Sequence, residues 1–261
     1  MNAKLIAKNI LSNKIIISVI VAIALLSFLF LGSNSNSSNQ AVDSKNIEQI
    51  VAKWINDNPE AILESIQNMQ KKLMEEQMAK SRQNLSQKTS ELYDNKDNPM
   101  ISNGDYDVTI VEFFDYSCGY CKRASNTIKK LLQQDKKVRV IHKHYPILGQ
   151  PSSEMAQIAL AVNLSQPKLY SKFHMELMKN TNRGKKAALD IAKKIGVDTD
   201  LINETLSSKK SDIEKMINDN INLGSSIGVN GTPGFVIGEE LIPGAIDLNT
   251  FKAKIASIRS K

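Results

Sequence analysis

Residues 108–124 read VTIVEFFDYSCGYCKRA, and the fold and chemistry of the chain turn on this stretch. Val108–Phe114 is a nearly unbroken β-branched and aromatic run, the pattern of a central strand buried on both faces. After a short turn, Ala124, Ile128, Leu131 and Leu132 recur at helical spacing within a predicted helix from Cys121 to Gln133. Cys118-Gly119-Tyr120-Cys121 therefore lies between a buried strand and the start of a helix. Cysteines three apart in a first helical turn can close a disulfide with little backbone movement. The first of them faces the free N–H groups and positive dipole end of the helix, which favour thiolate over thiol. Such thiols ionise at roughly pH 3.5 to 7.5, against about 8.5 unperturbed. A thiolate is both a nucleophile and a good leaving group, the two properties that thiol–disulfide exchange needs. Cys118 is the candidate nucleophile, and Cys121, one turn further in, is the candidate buried resolving thiol.

Two other readings of the pair stay open. Cys118 and Cys121 are the only cysteines, so half of a zinc site would need two further ligands. His142 and His144 share a strand face, but nothing in the sequence holds them near the helix terminus. Their ordinary role is surface or strand packing, and His174 has no companion. A purely structural disulfide closing so short a loop would add little, because the stabilisation grows with loop length.

Working outward, Val138–Tyr145 reads as a second strand closed by Pro146 and Gly149. From Ser152 to about Ile227 the pattern is helical, broken near Pro167, Arg183-Gly184 and Gly196. Phe235–Ile237 and Leu241-Ile242 form a hairpin around Gly238-Glu239-Glu240, and Leu248–Ile258 closes the chain as an amphipathic helix capped by Asp247 or Asn249. The order predicts an α/β fold with helices covering the sheet.

Lys4, Lys8 and Lys14 precede an uncharged run from Ile15 to Leu31, so residues 1–32 read as a signal peptide or membrane anchor. The run would span roughly 25 Å as a helix, and the basic flank before it places the rest outside the cytoplasm. Residues 33–44 form a polar linker. A helical extension occupies 45–95, with Ser44 as a plausible cap and Ile47, Ile50, Val51, Trp54 and Ile55 on one face. Asn58-Pro59-Glu60 restarts the helix, with Asn58 as N-cap. Ile62, Ile66, Met69 and Leu73 then form a narrow seam that fades after Met78. The seam suits either a helix packed on its own domain or a stalk pairing with other copies. Tyr93–Asp107 reads as loop.

The 261 residues carry 34 Lys+Arg against 27 Asp+Glu, a net charge of +7 spread along the chain. A nucleic-acid partner would want a localised basic face, so none is expected. Apolar residues at 41% support a packed core and exclude global disorder.

The segment VTIVEFFDYSCGYCKRA resembles the active-site region of DsbA-family disulfide oxidoreductases within the thioredoxin superfamily, and VNGTPGFVIGEELIPGAID resembles that family's cis-proline region and following hairpin. The resemblance implies a thioredoxin-like α/β sheet over 96–261 with a helical insertion at about 152–227. It implies Cys118 as nucleophile, Cys121 as resolving thiol, and Thr232 and Pro233, joined by a cis bond, as the substrate-binding loop beside them, with Gly119 and Tyr120 at the same surface. Glu112 matches the family's acid that moves protons for the resolving cysteine; a strand-end Glu facing solvent is the other reading. The redox-active group would be the disulfide itself, with no cofactor. The expected partners are cysteine-containing clients, a membrane redox partner, and further copies of the chain through residues 45–95. The expected activity is oxidation of client thiols in the periplasm. The Gly119-Tyr120 pair and Thr232 before the proline look more like the superfamily's disulfide isomerases, so an oligomeric isomerase or reductase is the alternative. A non-catalytic protein keeping the fold is the other.

Overall fold

The computed structural model describes residues 44–260 and divides into two compact units between Ile66 and Gln67. The segment expected at 1–32 and the linker expected at 33–44, except its last residue Ser44, lie outside the described residues. Among the described residues, no helix is long and apolar enough to cross a membrane. The first unit holds α1 (Ser44–Asp57) and the start of α2 (Pro59–Gln87). Asn58, between the two helices, ties itself to the one before it: its side-chain amide donates to the Trp54 carbonyl at 2.8 Å.

In the second unit, α2 continues and is followed by α3 (Thr89–Tyr93), β1 (Met100–Ser102), β2 (Val108–Phe114), α4 (Gly119–Gln134) and β3 (Val138–His144). Then come α5 (Gln150–Ser165), α6 (Pro167–Lys179), α7 (Gly184–Ile195), α8 (Thr199–Ser208) and α9 (Lys210–Ser226). The hairpin β4 (Gly234–Ile237) and β5 (Glu240–Pro243) and the helix α10 (Leu248–Arg259) complete the chain. The strands form one mixed sheet in the order β1-β3-β2-β4-β5, with β2 and β3 parallel and the other pairs antiparallel.

Both faces of β2 and β3 are covered, which explains their continuous apolar runs. On one face Val108, Ile110, Val138 and Val140 pack against Ala124, Ile128 and Leu131 of α4 and Phe251 and Ile255 of α10. Further along this face Phe114 joins a second cluster with Tyr170 and Phe173 of α6 and Met155 of α5. Glu112 falls between the two clusters, level with His142 of β3. The opposite face carries Val111, Phe113, Ile141 and Tyr145 against Leu92, Leu223 and Ile227.

Three features differ from the sequence reading. Strand β1 lies inside the expected loop; its three residues are too few to show an alternating pattern, and it exists by pairing with β3. Helix α2 runs past the fading seam to Gln87 because its end is anchored by buried Leu85 and by the Asn84 amide donating to the Ser226 carbonyl at 3.3 Å. The seam itself is open, with Ile66, Met69 and Leu73 exposed at 44, 59 and 51%. Helices run from Gln150 to Ser226, with a break at Lys209 beyond those expected. Asp247, not Asn249, caps α10 by accepting from the Thr250 N–H at 2.7 Å.

Gly224 of α9 shows how closely this helix approaches the sheet. A Cβ there would stand 2.5 Å from Tyr145 Cε2 and 3.1 Å from Phe113 Cδ1. Tyr145 has no room to swing away, since its ring is buried and its hydroxyl donates to the Val229 carbonyl at 3.0 Å. Gly224→Ala gains up to about 1 kcal/mol of helix propensity but incurs roughly 1–3 kcal/mol of overpacking. The expected result is a net destabilisation, read as a lower denaturant midpoint with an unchanged slope.

Candidate active site

The turn between β2 and α4 is organised by Asp115, a buried residue that the sequence reading passed over. One carboxylate oxygen accepts from the Ser117 N–H at 2.7 Å and the other from the Leu148 N–H at 3.0 Å. Its carbonyl accepts from the Cys118 N–H at 3.0 Å. An Asp immediately after a strand and before a turn is the signal that could have found it. These bonds deliver Cys118 to the N-cap of α4 with an extended backbone and a side chain that makes no capping bond. The helix starts at Gly119, two residues before the predicted start, so Cys118 stands at its cap and Cys121 in its first turn.

Cys118 is 7% exposed and Cys121 fully buried, and both are free thiols. Cys118 Sγ lies 3.2 Å from the carbonyl oxygen of Thr232, and the Thr232–Pro233 peptide bond is cis. The loop is tied to the hairpin by the Gly244 N–H donating to the Pro233 carbonyl at 2.8 Å. Tyr120 projects into solvent, 60% exposed, with the Arg123 guanidinium 4.3 Å from its ring centroid. Lys122 donates to the Asn180 carbonyl at the end of α6, joining the cysteine helix to the helical block. An open groove runs from Tyr120 past Val229, Thr232 and Leu241 to Met74 and Met78 of α2.

The two thiols are driven in opposite directions. Cys118 is lowered to about 5, first by a hydrogen bond from the Cys121 thiol, then by one from Thr232 and by the backbone N–H groups of Cys121 and Tyr120. The helix terminus acts as the sequence suggested, but the partner thiol is the larger influence. Cys121 is raised far above the ordinary thiol range by burial, by its bond to Cys118 and by the charge of Glu112.

Glu112 is fully buried, not turned to solvent at a strand end. Neither of its oxygens makes a hydrogen bond, and His142 Nε2 stands 3.5 Å from Oε2. Desolvation, helped by the charge on Cys118, pushes it up to about 8.

The histidines depart most from the sequence reading. His142, His144 and His174 are all buried and gather around Phe114, with the His142 and His174 rings stacked at 4.2 Å. Tyr116 Oη lies 3.1 Å from His174 Nδ1, and Tyr170 Oη 3.4 Å from His142 Nδ1. Burial lowers the pKa of His142 and His144 to about 3 and holds that of His174 well below the usual imidazole value, so all three are neutral at physiological pH. His174 does have companions, brought by α6, which no pattern along the chain discloses. Among the described residues, no group of three or more His, Cys, Asp or Glu is placed to hold a metal ion.

Comparison with known proteins places these features in a family. Residues 109–256 match the DSBA-like thioredoxin domain. The thiol-disulfide exchange protein alpha-DsbA2 from Wolbachia pipientis is 35% identical, covering 68% of this chain and 95% of that one, with a TM-score of 0.65. A linker-deletion variant of ScsC from Proteus mirabilis is 27% identical, covering 85% of this chain and 98% of that one, with a TM-score of 0.62. A periplasmic thioredoxin-like protein from Salmonella enterica serovar Typhimurium is 28% identical, covering 66% and 96%, with a TM-score of 0.59. Among curated proteins, the Na(+)/H(+) antiporter NhaA 3 of Salinispora tropica is 24% identical over 151 residues, which is 58% of this chain and only 23% of the antiporter. The match to the domain spans more than half of the sequence and contains both cysteines and the cis-proline loop, and the chain therefore belongs to the family of DsbA-like thioredoxin domains.

Proposed function

We propose that this chain is an exported thiol–disulfide oxidoreductase that oxidises cysteine pairs in extracytoplasmic proteins. The supporting observation is the opposition of two thiol pKa values within one helical turn, that of Cys118 lowered to about 5 and that of Cys121 raised. In the oxidised enzyme a client thiolate attacks Cys118 Sγ, forming a mixed disulfide and breaking the Cys118–Cys121 bond. Cys121 leaves as a thiolate its surroundings disfavour, and the Glu112 carboxylic acid supplies the proton. A second client thiolate then attacks the client sulfur and expels Cys118 as its stable thiolate. Two electrons pass from the client dithiol to the Cys118–Cys121 pair, which is the redox-active group. A thiolate this stable favours the reduced enzyme and so electron flow out of the client. A membrane redox partner restores the disulfide.

The Thr232–Pro233 loop receives the client backbone, with Gly119 and Tyr120 at the rim. Residues 96–261 form the catalytic domain with its insertion at about 152–227, and 45–95 the extension. The basic flank and apolar run at 1–32 support export, as does the periplasmic relative from Salmonella. The test is alkylation of the reduced protein against pH. One thiol should react with a midpoint near pH 5, and the second only after unfolding. Slow alkylation at pH 6 would favour the non-catalytic alternative.

One observation supports the oligomeric isomerase or reductase as a second reading: the exposed stripe of Ile66, Met69 and Leu73. On that reading Ile66→Lys with Met69→Lys converts an oligomer to a monomer in sedimentation and removes the repair of scrambled disulfides. A reduction potential near DsbA's value of about −120 mV would favour the oxidant.

A further inference from the structure

We infer that His142 is a positioning residue for the proton exchanged between Glu112 and Cys121, the buried imidazole serving as donor to the ionised carboxylate and as acceptor from the protonated one. The inference rests on the thiol–disulfide reading above and adds a residue to it. Its starting point is that Glu112 is fully enclosed and neither oxygen has a hydrogen bond. A buried carboxylate that must gain and lose a proton needs a partner that suits both states.

The groups facing Glu112 are few. From α4 come Cys118 and Cys121, whose acidities it is coupled to. From β3 comes His142, directly opposite in register, with Nε2 3.5 Å from Oε2. Behind it stand His144, His174 of α6, Tyr170 and Tyr116. Phe235 of β4 occupies the other flanking register position and offers no polar atom. Of these, His142 places a ring nitrogen 3.5 Å from a Glu112 oxygen and has a second polar contact behind it, Tyr170 Oη at 3.4 Å from Nδ1. A tyrosine hydroxyl can donate to a ring nitrogen or accept from it. When Tyr170 donates to Nδ1, Nε2 carries the hydrogen and donates to the Glu112 carboxylate. When Glu112 is protonated, it donates to Nε2, and Nδ1 donates to Tyr170. Imidazole stays neutral in both arrangements, as burial requires. Stacking on His174 and edge contact with Phe114 fix the ring plane, leaving tautomer exchange as the adjustable feature.

The test follows the reaction of the reduced enzyme with 5,5′-dithiobis(2-nitrobenzoate). In the first phase the Cys118 thiolate attacks the reagent, forming a mixed disulfide and releasing one 5-thio-2-nitrobenzoate. In the second, Cys121 gives its proton to Glu112 and attacks Cys118 Sγ, forming the Cys118–Cys121 bond and releasing the other. Absorbance at 412 nm separates the phases. His142→Phe keeps the aromatic packing and removes Nε2. It is expected to slow the second phase about tenfold at pH 7 and to move its pH midpoint upward, because ionised Glu112 has lost its donor. The first phase and its midpoint stay unchanged. His142→Gln, which can still donate and accept, is expected to recover most of the rate. In a Glu112→Gln background, His142→Phe is expected to add no further loss. An unchanged second-phase profile in folded His142→Phe, or a loss that adds fully to that of Glu112→Gln, overturns the inference and leaves the thiol–disulfide reading standing. Absence of a first phase in the unmodified enzyme overturns both.

Discussion

Cys118→Ser is expected to abolish exchange with every client, while Cys121→Ser is expected to accumulate enzyme covalently joined to its clients. The two outcomes differ because the two sulfurs are placed differently. With its pKa lowered to about 5, Cys118 is almost wholly thiolate at neutral pH and retains slight exposure beside the Thr232 carbonyl. A serine hydroxyl there is neither ionised nor able to form the sulfur–sulfur bond, so the first step is lost. Cys121 is fully buried and raised, so no client sulfur reaches it; its one accessible partner is Cys118 one turn away. Its removal leaves the Cys118 thiolate able to attack a client disulfide, forming a mixed disulfide and releasing one client thiolate, and deletes the internal escape route. Mass spectrometry of the variant after incubation with an oxidised client should show one adduct per chain, released by dithiothreitol. Adducts on Cys118→Ser, or normal turnover by Cys121→Ser, would contradict the assignment of roles.

The second large effect is expected from Glu112→Gln, in stability as much as in rate. In the reduced folded protein the Glu112 carboxyl is raised from 4.5 to about 8. Between those pH values the unfolded chain has released the proton and the folded chain retains it. Folded stability therefore falls as pH rises through this window. The amide has no proton to lose, so the variant gains on the parent from about pH 4.5 upward, by about 4 kcal/mol at pH 8. Below pH 4 both states of the parent are protonated and the difference should close. The rate moves the other way: without an acid or base beside Cys121, exchange between the two cysteines should slow by about a hundredfold at pH 7. A stability difference that does not vary with pH would mean that this carboxyl is not held protonated.

Most of what was legible in the sequence was local. The run Val108–Phe114 and the helical spacing after it reveal their own structure because both are buried on a regular period. The cysteine spacing carries its chemistry within one turn. What stayed hidden depends on partners distant in sequence. Strand β1 is a strand only because β3 lies beside it. The enclosure of Glu112 follows from α4 and α6 closing over that face, and His174 meets His142 across many intervening residues. The exposed side of α2 is ambiguous for a different reason: a narrow apolar seam reads the same whether or not a second molecule covers it.

The ends of the sheet bear on the company this protein would keep. Unfolded chains search for unpaired backbone, and a long bare border would recruit them as extra strands. Here one border is the three-residue β1 and the other the four-residue β5, which terminates in Pro243, a residue with no N–H to offer. A catalyst that repeatedly handles sticky, half-made proteins would thereby let them go and escape co-aggregating with them.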